Sequence, residues 1–228
     1  MKGILQSMNP PSVGDLNRYN VNRAGQAEGI VQPLYDYQTY DGANGQTSLR
    51  FFALPIGQGG KTLADTNMEG AGQMPSPKEQ LVTAIQVVFM PGLPVPVNPD
   101  GLPGTTGPTT ALDNWNDVYT VFRSGYLDFF IGSKSYLIDA PVGKFSNDFR
   151  LAGSSAVGIH APDAVAAGQT AVDYATFAGP IYNISPVRLT SNQNFDVTLR
   201  WPTALPLPSL NDARIGVILM GFQYRLSQ

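Results

Sequence analysis

Between residues 195 and 201 the chain alternates strictly: Phe195, Val197, Leu199 and Trp201 are apolar, and Asp196, Thr198 and Arg200 between them are polar. Side chains on a β-strand point to opposite faces with a period of two, so this stretch is a strand with one face in a core and one in water. Such a strand needs a second layer to cover its apolar face. The run from Ala213 to Leu226 is apolar on both faces for much of its length, which predicts a strand in the middle of the domain or against a partner. Proline (19) and glycine (24) are spread through the 228 residues, a distribution that favours short strands and many turns over long helices.

Further strand signals precede these two. Ile30 to Tyr40 is rich in aromatic residues, Thr47 to Leu54 is a clearer strand, and Ile181 to Leu189 is another. Tyr126 to Ile131 and Ser135 to Asp139 form a hairpin around Gly132-Ser133-Lys134. Gln80 to Met90 is ambiguous. Ser76-Pro77-Lys78-Glu79 has the form of a helix capping box with proline at the first helical position. Against it, Leu81, Thr83, Ile85, Val87 and Phe89 alternate until Pro91-Gly92 ends the run, and strand is the expectation. One short helix is predicted from Asp113, which can cap it, to Gly125, which can end it. Residues 140–179 are rich in Ala and Gly and hold one or two weak strands.

The expected fold is therefore all-β, a single β-sandwich of about eight strands with one or two short helices. Eight strands in two sheets is the jelly-roll number. Residues 30–228 form that domain, and residues 1–29 form an extended N-terminal arm. Lys2, Arg18 and Arg23 against Asp15 and Glu28 leave the arm a net charge of +1 (three minus two). It is either a frayed terminus or a segment that crosses onto a neighbouring subunit. Three connections, 55–79, 91–112 and 140–179, are long for a compact domain, and such loops are normally functional or docked.

Charged residues make up 14% of the chain, against roughly 25% in an ordinary soluble protein. Neutral amides and hydroxyls cost less to desolvate than charges, so this surface suits contact with other protein surfaces. A net charge of −3 gives no bulk attraction to nucleic acid or to an anionic membrane. There is no cysteine, hence no disulfide, thiol nucleophile or cysteine metal site. The first residues carry no signal-peptide run, and no stretch approaches the ~18 apolar residues of a membrane span, so synthesis and folding in a cytoplasm are expected.

Four patterns could carry chemistry. Pro55-Ile56-Gly57-Gln58-Gly59-Gly60-Lys61-Thr62 ends like a phosphate-binding P-loop, but Pro55 stands where the motif needs its first glycine. The alternating β/α elements of that fold are also missing. Lys61 should bind no nucleotide, and Lys61→Ala should leave folding and assembly nearly unchanged. His160 is the only histidine; with no Gly-x-Ser-x-Gly elbow near it, it reads as a loop residue without a catalytic role. Asp128, Asp139, Asp148 and Asp196 are candidates for a paired-carboxylate hydrolase, though no spacing forces two of them into one cleft. Tyr35, Tyr37, Tyr40 and Trp115 could form a sugar platform, although aromatic residues of this kind more often belong to a core or an interface. No catalytic, cofactor-binding or metal residue is assigned, and no enzyme activity is expected.

The segment Ser124-Gly125-Tyr126-Leu127-Asp128-Phe129-Phe130-Ile131-Gly132-Ser133-Lys134, followed by Tyr136-Leu137 and Ala140-Pro141, resembles a stretch of the jelly-roll capsid proteins of tailless icosahedral bacteriophages and related viruses. So does Pro186-Val187-Arg188-Leu189 together with Gln193-Asn194-Phe195-Asp196-Val197-Thr198-Leu199, and Arg214 to Arg225 fits the closing strand of such a domain. The resemblance covers roughly half the chain and includes no catalytic motif. It implies a structural virion protein, a subunit whose partners are copies of itself in a symmetric shell, with other capsid proteins as further neighbours. The near-neutral arm cannot neutralise a genome, so strong direct nucleic-acid binding is not expected. In such a virion, other proteins or counterions would neutralise the genome, or it would lie behind an internal membrane. A carbohydrate- or ligand-binding β-sandwich is the main alternative, and a β-sandwich hydrolase the next.

Overall fold

The computed structural model describes residues 27–92, 111–145, 150–158, 169–177 and 181–226. Among the described residues the strands are β1 (Ala27–Val31), β2 (Leu34–Tyr40), β3 (Ser48–Phe51), β4 (Glu79–Met90), β5 (Tyr126–Ile131), β6 (Lys134–Pro141), β7 (Arg150–Gly158), β8 (Gln169–Phe177), β9 (Tyr182–Leu189), β10 (Phe195–Arg200) and β11 (Ala213–Leu226), with one α-helix, α1 (Ala111–Ser124), between β4 and β5 and a single 3-10 turn, Val142–Lys144, after β6. They form an antiparallel β-sandwich. In the first sheet β1 and β2 lie end to end along β11, β11 pairs with β4, and β4 pairs with β9. The second sheet runs β3-β10-β5-β6. β7 and β8 pair with each other as a separate two-stranded ribbon inserted between β6 and β9. The pairing is nested: β2 with β11, β3 with β10, β4 with β9 and β5 with β6.

One apolar core lies between the sheets. Phe195, Val197 and Leu199 of β10 point into it and Trp201 follows at 3% exposure, while Asp196, Thr198 and Arg200 point out. β11 is a central strand, hydrogen-bonded to β1 and β2 along one edge and to β4 along the other; Ile215, Val217 and Leu219 point into the core, while Ile218 and Met220 on the opposite face are half-buried. Residues 79–90 are a strand, not the helix that the capping-box pattern offered. Ile85, Val87 and Phe89 are fully buried, and a helix would have turned part of this run to solvent. The β4–β11 register shifts at Met220/Gly221. A Cβ on Gly221 would lie 1.8 Å from the Leu81 carbonyl oxygen, and its φ is +157°, so only glycine fits.

The helix starts two residues before the expected Asp113 and stops at Ser124, immediately before Gly125. Val118 and Val121 face the core, and the Trp201 indole N–H donates to the Val121 carbonyl at 3.3 Å. Gly125 passes so close to that indole that a Cβ would lie 2.8 Å from its nitrogen. Asp117, also buried, accepts the Ser209 backbone N–H at 3.0 Å and ties α1 to the loop before β11. Among the described residues no helix is long and apolar enough to cross a membrane. The arm boundary at residue 29 falls inside β1, whose pairing with β11 begins at Ala27 opposite Leu226. The rest of the arm lies outside the described residues.

Candidate functional site on the outer face of the second sheet

Alternation on three neighbouring strands decides what the second sheet presents to solvent. The register aligns Arg50 of β3 with Thr198 of β10, and Thr198 with Asp128 of β5. One step along, Ser48 aligns with Arg200 and Arg200 with Tyr126; in the other direction Asp196 aligns with Phe130. Ion pairs run across this grid on diagonals. Arg50 Nη2 lies 2.9 Å from Asp196 Oδ2, and Arg200 Nε lies 3.4 Å from Asp128 Oδ2. Diagonal neighbours on a sheet are within reach of long side chains, which is why arginine makes both bonds. A shallow, open trough follows β10 along this face, with Arg50, Phe130 and Asp196 at its middle.

Asp128 is the best-anchored of the carboxylates. It is 3% exposed, and its Oδ1 accepts the Asp139 backbone N–H at 2.8 Å, where β6 bulges and Asp139 takes a φ of +49°. The structure thus brings Asp128 and Asp196 to one face, which sequence spacing did not predict, and engages each with an arginine. Asp139 contributes its backbone to that arrangement. Asp148 and His160 lie outside the described residues. Among the described residues no three of His, Cys, Asp or Glu gather as a metal site would require.

The aromatic candidates separate. Tyr40 is a core residue: its ring is fully buried, stands edge-on to Trp201 at 5.3 Å, and its hydroxyl donates to the Leu205 carbonyl at 2.7 Å. Tyr35 donates its hydroxyl to the Leu63 carbonyl at 2.5 Å, and the Arg214 guanidinium covers the Tyr37 ring at 4.4 Å from its centroid. These rings are docked under the loop after β3 and offer no open platform. Trp115 lies on α1, and its side chain is outside the described residues.

That loop contains the P-loop-like segment. Three of its amides close its own turns: Gly57 N–H donates to the Lys61 carbonyl at 2.9 Å, Gln58 N–H to the Pro55 carbonyl at 3.2 Å, and Lys61 N–H to the Gln58 carbonyl at 3.0 Å. The Lys61 side chain turns inward, only 9% exposed, donates to the Tyr37 carbonyl at 3.0 Å and forms an ion pair with the fully buried Asp36. The expectation that Lys61 is dispensable is thereby overturned, because its charge is buried and paired. Asp36 Oδ2 also accepts the Phe52 N–H at 2.6 Å, where Phe52 takes a φ of +64°. Burial holds the Asp36 carboxyl above the usual carboxylate range, and the hydrogen bonds from Lys61, Phe52 and Thr66 oppose that shift without cancelling it. Nearby, the Thr62 N–H and hydroxyl, and the charge of Arg214, hold the Asp65 carboxyl below its usual range. The sequence did carry one sign of the buried pair: Asp36 shares the parity of the buried Leu34 and Tyr40, so it sits at an inward position of β2.

Compared with protein-family models, curated proteins and solved structures, the chain matches none.

Proposed function

We propose that the chain is a single jelly roll that assembles with copies of itself into the shell of an icosahedral virus. One observation carries the fold part of this reading, the nested strand pairing. If β1 and β2 are counted as one strand along β11 and the β7–β8 ribbon as an insertion, eight strands remain. Numbered in chain order they pair first with eighth, second with seventh, third with sixth and fourth with fifth, which is one long antiparallel hairpin wrapped into two four-stranded sheets, as in a jelly roll. A fold alone does not give a function. The step to a shell rests on the low charge, on the resemblance in residues 124–141 and 186–199, and on apolar side chains left at the margins of the sandwich. Ile138 on the edge strand β6 is 68% exposed, with Tyr136 beside it at 46%. Apolar groups along a strand edge are a hazard for a monomer and a natural contact in an assembly.

Light scattering coupled to size-exclusion chromatography, followed by electron microscopy of the largest species, tests the reading. Trimers, pentamers, hexamers or closed particles are expected. A clean monomer at high concentration, with no particle-associated form, would sink it.

A further inference from the structure

We infer that the trough on the outer face of the second sheet is a binding site for a neutral, hydroxyl-rich ligand, a short oligosaccharide. Charge balance is the first reason. Arg50 and Arg200 are matched by Asp196 and Asp128, so the face carries strong hydrogen-bonding groups but no net charge. A phosphate or sulfate would gain from an arginine but meet the carboxylate bonded to it, and an apolar peptide would strip water from two ion pairs with nothing to replace it. A sugar hydroxyl both donates and accepts, so adjacent hydroxyls can bond Arg50 and its partner Asp196 together, while the buried Asp128 holds Arg200 from beneath.

Shape and composition agree with this. From Arg200 to Asn194 the trough follows seven residues of backbone, six steps or about 20 Å at the rise of a β-strand. That length suits a chain of several sugar rings better than a single small molecule. Ser48 and Thr198 add hydroxyls on β3 and β10, and the half-buried Phe130 ring at the middle supplies an apolar surface for the C–H face of a pyranose. The groups are also pre-set. They stand on paired strands, not on loops, and Asp128 is fixed by the Asp139 N–H, so little ordering is needed on binding. This site is independent of the shell reading.

The experiment is calorimetric titration of the full chain with neutral tetrasaccharides of glucose, mannose, xylose and N-acetylglucosamine, repeated on Arg50→Ala and Ser48→Trp. Both positions are exposed, so circular dichroism should show each variant folded; Ser48→Trp fills the trough without removing a charge. At least one tetrasaccharide should bind, with affinity insensitive to salt, and each variant should weaken it by at least about tenfold. Three results would overturn the inference: no tetrasaccharide binding at millimolar concentration, equal affinity in both variants, or preference for heparin or single-stranded DNA with an affinity that falls steeply with salt.

Discussion

Asp36 and Lys61, twenty-five residues apart, form an ion pair beneath the loop that follows β3, with the carboxylate fully buried and the ammonium nearly so. The pair links the inward side of β2 to a glycine-rich turn. With the Phe52 N–H and the Tyr37 carbonyl as further partners, it holds residues 52–68 against the first sheet. Tyr37 N–H donates to the Asp65 carbonyl at 2.7 Å and Asn67 N–H to the Tyr35 carbonyl at 3.3 Å, so the same loop also covers the free edge of β2.

Lys61→Met should therefore destabilise the domain at neutral pH, by about 3–5 kcal/mol, because it leaves the Asp36 carboxylate buried without its cation. Denaturant unfolding monitored by tryptophan fluorescence measures this. Substituting both residues, Asp36→Leu with Lys61→Met, should recover part of the loss. A single variant as stable as the wild type would mean that the pair contributes nothing.

The pH dependence follows from the raised pKa of Asp36. Protonated Asp36 is favoured by the fold, so this group's contribution is fully present below its ordinary value of 3.8 and is lost as pH rises through the higher folded value. Asp65 works the other way, since its lowered pKa gives stability that is lost as pH falls through its folded value. Subtracting the stability of Asp36→Asn, which keeps Asp65, isolates the first effect. The difference between wild type and Asp36→Asn should move in favour of the wild type as pH is lowered from neutral towards 4. A flat difference would show that burial does not control this carboxyl.

Trp201→Ala should cost ~3–5 kcal/mol, the range for removing a large buried aromatic ring. It also removes the indole bond to Val121 that seats α1, so helical signal should be lost at lower denaturant than the sheet signal. Thr198→Ala, on the outer face, should change stability by less than about 0.5 kcal/mol. A Trp201 variant with unchanged stability would contradict the burial of that ring.

Ile138→Lys tests the β6 margin. The side chain is exposed, so the melting temperature of the dissociated subunit should hold while assembly weakens. Assembly at the wild-type concentration dependence would remove β6 from the contact.

The arm prediction is now divided by β1. Deleting residues 1–26 should leave the sandwich folded, with an unchanged circular dichroism spectrum, and weaken or redirect assembly. Deleting residues 1–31 should destabilise the sandwich as well, because Glu28 to Val31 pair with Phe222 to Arg225 of β11. Normal assembly after the shorter deletion would make the segment a passive tail.

Most strands, and the faces of β10, were legible from local pattern; in β4 the expected alternation holds from Ile85 to Phe89, whereas Leu81 and Thr83 are half-buried and Gln80 and Val82 point inward, across a register shift at Val82/Ala84. Ala213 to Leu226 announces itself through a continuous apolar run too long for a loop, and Phe195 to Trp201 because the side-chain period of a strand is a local property. The Gly132 turn and the end of α1 at Gly125 were legible for the same reason. Pairing was another matter. That β10 lies between β3 and β5, and so sets Arg50 against Asp196 and Arg200 against Asp128, depends on register between strands separated by dozens of residues. Only packing of the whole core selects that register, since a slip of one residue would turn Val197 and Leu199 to solvent. Lys61 shows the same division. Its neighbours in sequence suggest a phosphate loop, whereas its neighbours in space, Asp36 and the Tyr37 carbonyl, make it structural. Local periodicity chose the strands, and the burial of distant side chains against one another chose which charges meet.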